Sequence, residues 1–293
     1  MSGIDRERAL TAFRAYVAAY GAKSERIGLK VAHTYRVADI AERIARSEGW
    51  PPSDIDLAWL CGLLHDLGRF EQLRIWDTFR DADSVSHAKM GAAVLEGRGI
   101  EGLAMAPIPD RVPIVDHPLA PESGSGSIDS FLEDRSHDAL IVATVEQHSA
   151  FRLDPSLDPR TRAFCDVVRD ADKVDILRVN CENTPMTVLG LTDGEFLSSG
   201  ISDAARRGFG ERRCLARSER IEPADHLVGM LCFVFELVYP QSARIVREQG
   251  HLDALLRAPF GLSEPFRDPA TRAIWADMAA DLHGWIEERV DGP

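Results

Sequence analysis

The sequence predicts an all-α fold, and three observations carry that prediction. Apolar residues recur at spacings of three and four along most of the 293 residues. Period-two alternation, the mark of half-buried strands, is nearly absent. The periodic stretches are punctuated by Gly, Pro and capping residues where helices should start and stop.

Taken in order, Phe13, Tyr16, Val17 and Tyr20 form the apolar face of a first helix ending near Gly21. His33, Val37, Ile40 and Ile44 lie four, three and four apart on a second, which stops before Gly49 and the Pro51-Pro52 breaker. Ser53 with Asp56 resembles a capping box that opens a helix over 55–67, with Gly68 in the C′ position. Ser86 is placed to cap a helix carrying His87, Met90, Val94 and Leu95, stopped by Gly97 and Gly99. Ile141, Val145 and His148 share one face of the next helix; Phe164, Val168, Asp172 and Ile176 share a face of another. Residues 224–238, 242–256 and 269–288 complete the set, the first of them overlapping the most apolar run of the chain, 227–239.

Two stretches break the pattern. Residues 102–134 hold Pro107, Pro109, Pro113, Pro118 and Pro121 before a Ser-Gly run at 123–127, which reads as an irregular loop, either a lid or rim or a tolerated surface insertion. Residues 183–200 read as a second irregular link. With no internal repeat, the expectation is one helical domain over 1–293. It has a motif-bearing core at about 28–180, an insertion at about 102–134 and a C-terminal helical extension at about 201–290.

Composition limits the partners. With 34 basic against 47 acidic residues the formal charge is -13, and no basic stripe forms, so long nucleic acid is not an expected partner. A small phosphorylated substrate remains compatible, because bound metal ions reverse the local sign. Residues 1–14 lack the apolar region of a signal peptide, and 227–239, interrupted by Glu236, is too short to span a bilayer. Five cysteines without a C-x-x-C pair read as core residues in a reducing compartment. A cytoplasmic location without membrane contact is expected; nothing in the sequence speaks to oligomeric state.

The chemistry concentrates in His33, the pair His65-Asp66, His87, His148 and Asp172. His33, His87, His148 and Asp172 each fall on the apolar stripe of an amphipathic helix, and His65-Asp66 is embedded in Leu63-Leu64-His65-Asp66-Leu67. Burying such groups uncompensated costs several kcal/mol. A second His-Asp pair, His137-Asp138, sits in the polar context Glu133-Asp134-Arg135-Ser136, where solvation and capping account for it. Helices aiming imidazole and carboxylate groups inward describe a bundle with a transition-metal centre.

The segments 33–37 (His-Thr-Tyr-Arg-Val), 64–69 (Leu-His-Asp-Leu-Gly-Arg), 87–92 (His-Ala-Lys-Met-Gly-Ala) and 169–173 (Arg-Asp-Ala-Asp-Lys) resemble the HD superfamily of metal-dependent phosphohydrolases, over about residues 28–180. The resemblance implies a helical bundle with a divalent metal site in its core, two ions of Fe, Mn, Zn, Co or Ni. His33, His65, Asp66 and Asp172 would hold one ion; Asp66, His87 and His148 would hold the other. The six-ligand order is similar to the binuclear branches, which include cyclic-di-GMP phosphodiesterases and symmetrical diadenosine tetraphosphate hydrolases. Two departures count against cyclic-di-GMP: Gln147-His148-Ser149 has a single His, and Phe151-Arg152-Leu153-Asp154-Pro155 replaces a Gly-Tyr-Pro signature.

His65 and Asp66 are thus the expected catalytic pair. Arg69 is a candidate bidentate phosphate ligand; its competing role is a surface ion pair with Glu71 or a neighbouring acid. Lys173 would bind phosphate or pair with Asp170. Arg36, one turn after His33, is expected in a buried ion pair that fixes its helix. No phosphate-binding Gly-rich loop, nucleophile elbow or Rossmann fingerprint is present. The leading expectation is a phosphomono- or phosphodiesterase acting on a small nucleotide-like ester. The rivals are an HD-type di-iron oxygenase, told apart by iron content and O₂ consumption, and a non-catalytic nucleotide sensor, which would be expected to lose a ligand position.

Overall fold

In the computed structural model the Asp5 carboxylate accepts a hydrogen bond from the Arg8 amide and caps α1 (Arg6–Ala18). The residues described are 4–20, 25–98, 103 and 126–291. Every regular element among them is a helix, as the periodicity predicts. By their contacts they form two units, Met1–Arg169 and Asp170–Pro293.

In the first unit α1 buries Ala9, Phe13, Tyr16 and Val17. The helix α2 (Glu25–Ser47) buries His33, Val37, Ile40 and Ile44, and ends ahead of Gly49 in the left-handed conformation. Proline opens α3 (Pro52–Leu64): Pro51 is its N-cap and Pro52 its first residue, so the Ser53 capping box is not formed. Proline succeeds there because its φ suits the first turn, where its missing N–H costs nothing. Nine residues of α3, Ile55 and Leu57 through Leu64, are buried. It lies against α2 so closely that a Cβ on Gly62 would stand 2.8 Å from the Ala38 Cα.

The expected helix over 55–67 is in fact two. The ladder breaks at His65 and Asp66 (φ -105, ψ 16 at Asp66), and α4 (Leu67–Trp76) starts at once. Gly68 is therefore no C′ residue. It lies in the first turn of α4, where an added Cβ would meet the His87 carbonyl oxygen at 2.1 Å and the Gly91 nitrogen at 2.5 Å. The glycine is there for close approach to α5 (His87–Leu95), which Ser86 caps through the Lys89 amide. The left-handed residue that ends α4 is Asp77 (φ 51).

Much of the 102–134 stretch, including the five prolines and any lid, lies outside the described residues. Its end forms a short α6 (Ile128–Phe131). Next, α7 (Asp138–Gln147) begins at the second His-Asp pair, where Asp138 is ion-paired to Arg135 at 2.6 Å and half-buried. The long α8 (Pro159–Glu182) follows.

The second unit corrects the sequence reading in three places. Residues 183–200 are not irregular: they hold α9 (Pro185–Leu189), capped by Thr184, and α10 (Asp193–Leu197), opened by a Thr192–Glu195 capping box. After α11 (Asp203–Gly210), the 224–238 helix is cut short as α12 (Pro223–Leu231) and tightens into a 3₁₀ turn over Cys232–Glu236. Gly250, at φ 68, divides the 242–256 helix into α13 (Pro240–Gln249) and α14 (His251–Arg257). The last helix is α15 (Pro269–Asp291). Buried Asp170 on α8 ties this unit together, accepting from the amides of Val238 and Tyr239 and the Ser242 hydroxyl. Burial pushes its carboxyl up to about 6 against those hydrogen bonds. No described helix is long and apolar enough to cross a membrane.

Candidate metal centre

Three helices and one helix junction of the first unit bring the histidines around a single carboxylate. His33 comes from the middle of α2, and His65-Asp66 from the break between α3 and α4. His87 is the first residue of α5, and His148 the cap residue of α7. All five are at most 4% exposed. The α3–α4 break is what makes Asp66 useful. At an N-cap position its side chain makes no capping bond, and it turns inward instead.

The two Asp66 oxygens face different partners. Oδ2 stands 3.7 Å from His33 Nε2 and 3.5 Å from His65 Nε2. Oδ1 stands 3.5 Å from His87 Nε2 and 3.8 Å from His148 Nε2. These separations are too long for hydrogen bonds. They lie close to the roughly 3.0–3.4 Å between two ligands that each sit about 2.1 Å from a shared ion. Nε2 is the inward nitrogen because Nδ1 is occupied elsewhere. His65 Nδ1 donates to the Gly62 carbonyl at 2.7 Å, His148 Nδ1 to the Val145 carbonyl at 2.7 Å, and His87 Nδ1 to Asp81 at 2.8 and 2.9 Å.

That arrangement fits a cation. With Nδ1 protonated, the Nε2 atoms of neutral His87 and His148 are both lone-pair acceptors, yet they lie 3.0 Å apart. A positive centre reconciles them. Ligand atoms of His65, Asp66 and His148 all fall within 4.8 Å of one another, as do those of His33 and His65. Electrostatics suit ligation as well. Burial, together with the Arg69 charge, pushes His87 below its ordinary value despite Asp81 and Asp66. At Asp66 burial acts upward, but Lys30, His65, Arg69 and His87 outweigh it and hold the carboxyl well below the usual range.

Of the other expected residues, Asp172 lies half-buried on α8, three residues into the second unit. Lys173 pairs with Glu236 at 3.3 Å, while Asp170 takes the backbone and hydroxyl donors described above. Arg36 is exposed on α2, which corrects the expectation of a buried ion pair. Arg69 is not paired with Glu71, which binds Arg74 and Tyr20. Its Nη1 donates to Gln72 at 2.8 Å, Asp81 at 3.1 Å and the Phe79 carbonyl, and its Nε lies 3.5 Å from Asp66 Oδ1.

Three contributors escaped the sequence reading. Lys30, one turn before His33, donates to Asp66 Oδ2 at 2.7 Å; its i, i+3 relation to His33 was the available signal. Asp81 holds His87 but sits in a polar run with no periodicity to mark it. Arg169, inside a segment already quoted, grips the carbonyls of Gln147, His148 and Ala150 and so fixes the end of α7.

The HD-domain family model matches residues 31–176, and the chain is an HD-domain protein. That family includes metal-dependent phosphohydrolases. No curated protein and no solved structure matches the chain.

Proposed function

We propose that this protein is a metal-dependent phosphohydrolase acting on a small nucleotide-like phosphomonoester or phosphodiester. The observation that carries the reading is the division of Asp66, one oxygen toward His33 and His65 and the other toward His87 and His148. In this reading His33, His65, Asp66 and Asp172 hold one divalent ion, and Asp66, His87 and His148 hold a second. Divalent ions supply Lewis acidity, which lowers the pKa of water and neutralises phosphate charge.

The chain's own residues do the rest. His65 and Asp66 set the donor geometry from a fixed backbone break. Arg69 offers its Nε–H, which is buried and has no hydrogen-bond partner among the described residues, to a phosphate oxygen beside Asp66. Its Nη1 anchors keep that edge in place at little entropic cost. Lys173, half-buried in the second unit, is the further candidate for phosphate.

The test is metal analysis of protein purified without chelator, followed by a phosphoester panel with Mn²⁺ or Co²⁺. Two ions per chain and phosphate release are expected, and His87→Ala should retain one ion while staying folded. One ion in both proteins removes the binuclear assignment. Oxygen consumption by the iron-loaded chain without phosphate release overturns the hydrolase reading. At saturating Mn²⁺, Arg69→Ala should lower kcat/KM by about ten- to a hundredfold, the loss of roughly 1.5–3 kcal/mol from a charge-assisted contact. Lys at this position should restore only part, because it lacks the planar fork. An unchanged kcat/KM removes Arg69 from substrate binding.

A further inference from the structure

We infer that Asp81 is the positioning residue of His87, and that it sets how tightly the second metal ion is held. This rests on the binuclear reading above. Asp81 presents both carboxylate oxygens to His87 Nδ1, at 2.8 and 2.9 Å. It is itself held on its other side: Gln72 Nε2 donates to Oδ1 at 2.9 Å and Arg69 Nη1 at 3.1 Å. Gln72, fully buried, also donates to Ser84 Oγ at 2.8 Å and the Val85 carbonyl at 3.1 Å, and accepts from Arg69 at 2.8 Å. Arg69 adds the Phe79 carbonyl.

The whole segment from Phe79 to Val85 is therefore stitched to α4 through two side chains one turn apart. Beneath it Trp76, Val85 and Met90 form a buried apolar cluster. An acid in a polar surface turn is ordinarily solvated. This one is 16% exposed at its side chain and has donors on every face that the hydrogen bonds define. Burial acts upward on its carboxyl, but the hydrogen bond from His87, the His87 and Arg69 charges and the Gln72 bond hold it below the usual range.

A carboxylate on Nδ1 fixes the tautomer that leaves Nε2 a lone pair, fixes the ring plane, and raises the basicity of the ligand nitrogen. His65 and His148 have neutral carbonyls in this role. Asp81 thus makes His87 the strongest donor of the second site, and the Gln72–Arg69 cradle makes that donor rigid.

Asp81→Asn tests this. It keeps the size and one acceptor oxygen, loses the charge, and admits the other ring tautomer. The measurement is calorimetric titration of the chelator-stripped full chain with Mn²⁺, with His87→Ala marking which binding phase belongs to the second site. That phase should weaken about ten- to a hundredfold in Asp81→Asn, the usual effect of losing such a partner, while the other phase stays unchanged. Equal weakening of both phases, or of neither, overturns the inference. A second measurement needs no Asp81 variant. In ¹⁵N-histidine spectra of the stripped wild-type chain, the His87 signal, identified by its absence in His87→Ala, should report the Nδ1–H tautomer. An Nε2–H tautomer overturns the inference. Failure of the wild type to bind two Mn²⁺ strikes the binuclear reading instead, and the tautomer still decides Asp81.

Discussion

Asp66→Ala should abolish phosphoester hydrolysis and bind neither ion tightly, whereas Asp138→Ala should stay within a few-fold of wild type on both counts. The two residues share a His-Asp dipeptide, so the contrast isolates what the surroundings do. Asp66 is 2% exposed, faces four imidazole nitrogens and takes the Lys30 and Arg69 charges. Removing it leaves those cations and rings gathered around nothing, and deletes the one side chain with an oxygen for each proposed ion. Metal assistance is worth several kcal/mol of barrier, so a loss of roughly a thousandfold or more is expected. Asp138 begins α7 in a half-exposed ion pair with Arg135, the kind of contact worth under about 1 kcal/mol. Activity at saturating Mn²⁺ and metal content measured side by side give the answer. Comparable losses in the two variants would contradict the assignment.

That contrast was legible in the sequence, because an apolar frame around a titratable pair is a one-dimensional signal. The same holds for His33, His87 and His148, whose helical spacing put them on buried faces. What was not legible depended on two segments meeting. Residues 57–64 carry no polar side chain and Leu67 resumes the apolar run, so nothing local marked the break at His65-Asp66 that lets Asp66 turn inward. Asp81 lies in the stretch Arg80-Asp81-Ala82-Asp83, where only the arrival of Gln72, Arg69 and His87 separates it from an ordinary solvated acid. In the second unit, by contrast, the misread boundaries had local causes. The Thr192–Glu195 capping box opens a helix inside a stretch expected to be irregular, and Gly250 divides the helix expected over 242–256; both are signals of the kind used elsewhere along the chain.

Gly68 shows tertiary structure overruling a local rule, and it carries the largest stability effect expected outside the ligands. Read alone, a glycine after an apolar run is a helix stop. In the fold it is where α4 touches α5, and the atoms a Cβ would strike, the His87 carbonyl and the Gly91 amide, are backbone. A flexible side chain could swing aside; two helix backbones can only separate, by roughly an ångström to restore contact distance. Gly68→Ala should therefore cost about 3 kcal/mol or more, at the upper end of overpacking, lowering Tm by roughly 6–12 °C. Because the struck carbonyl belongs to His87, the same shift should pull that ring from Asp66 Oδ1 and weaken Mn²⁺ binding at the second site in particular. Gly28→Ala is the internal control. Gly28 lies in α2 with nothing within 4 Å of the added Cβ, so this change should stabilise the protein by about 0.5–1 kcal/mol through helix propensity. Thermal unfolding in chelator separates the two, and Mn²⁺ titration then reads the displacement of His87. A Gly68→Ala chain as stable as Gly28→Ala, with both binding phases intact, would mean that α4 and α5 are not held at this distance and that the geometry proposed around His87 is wrong.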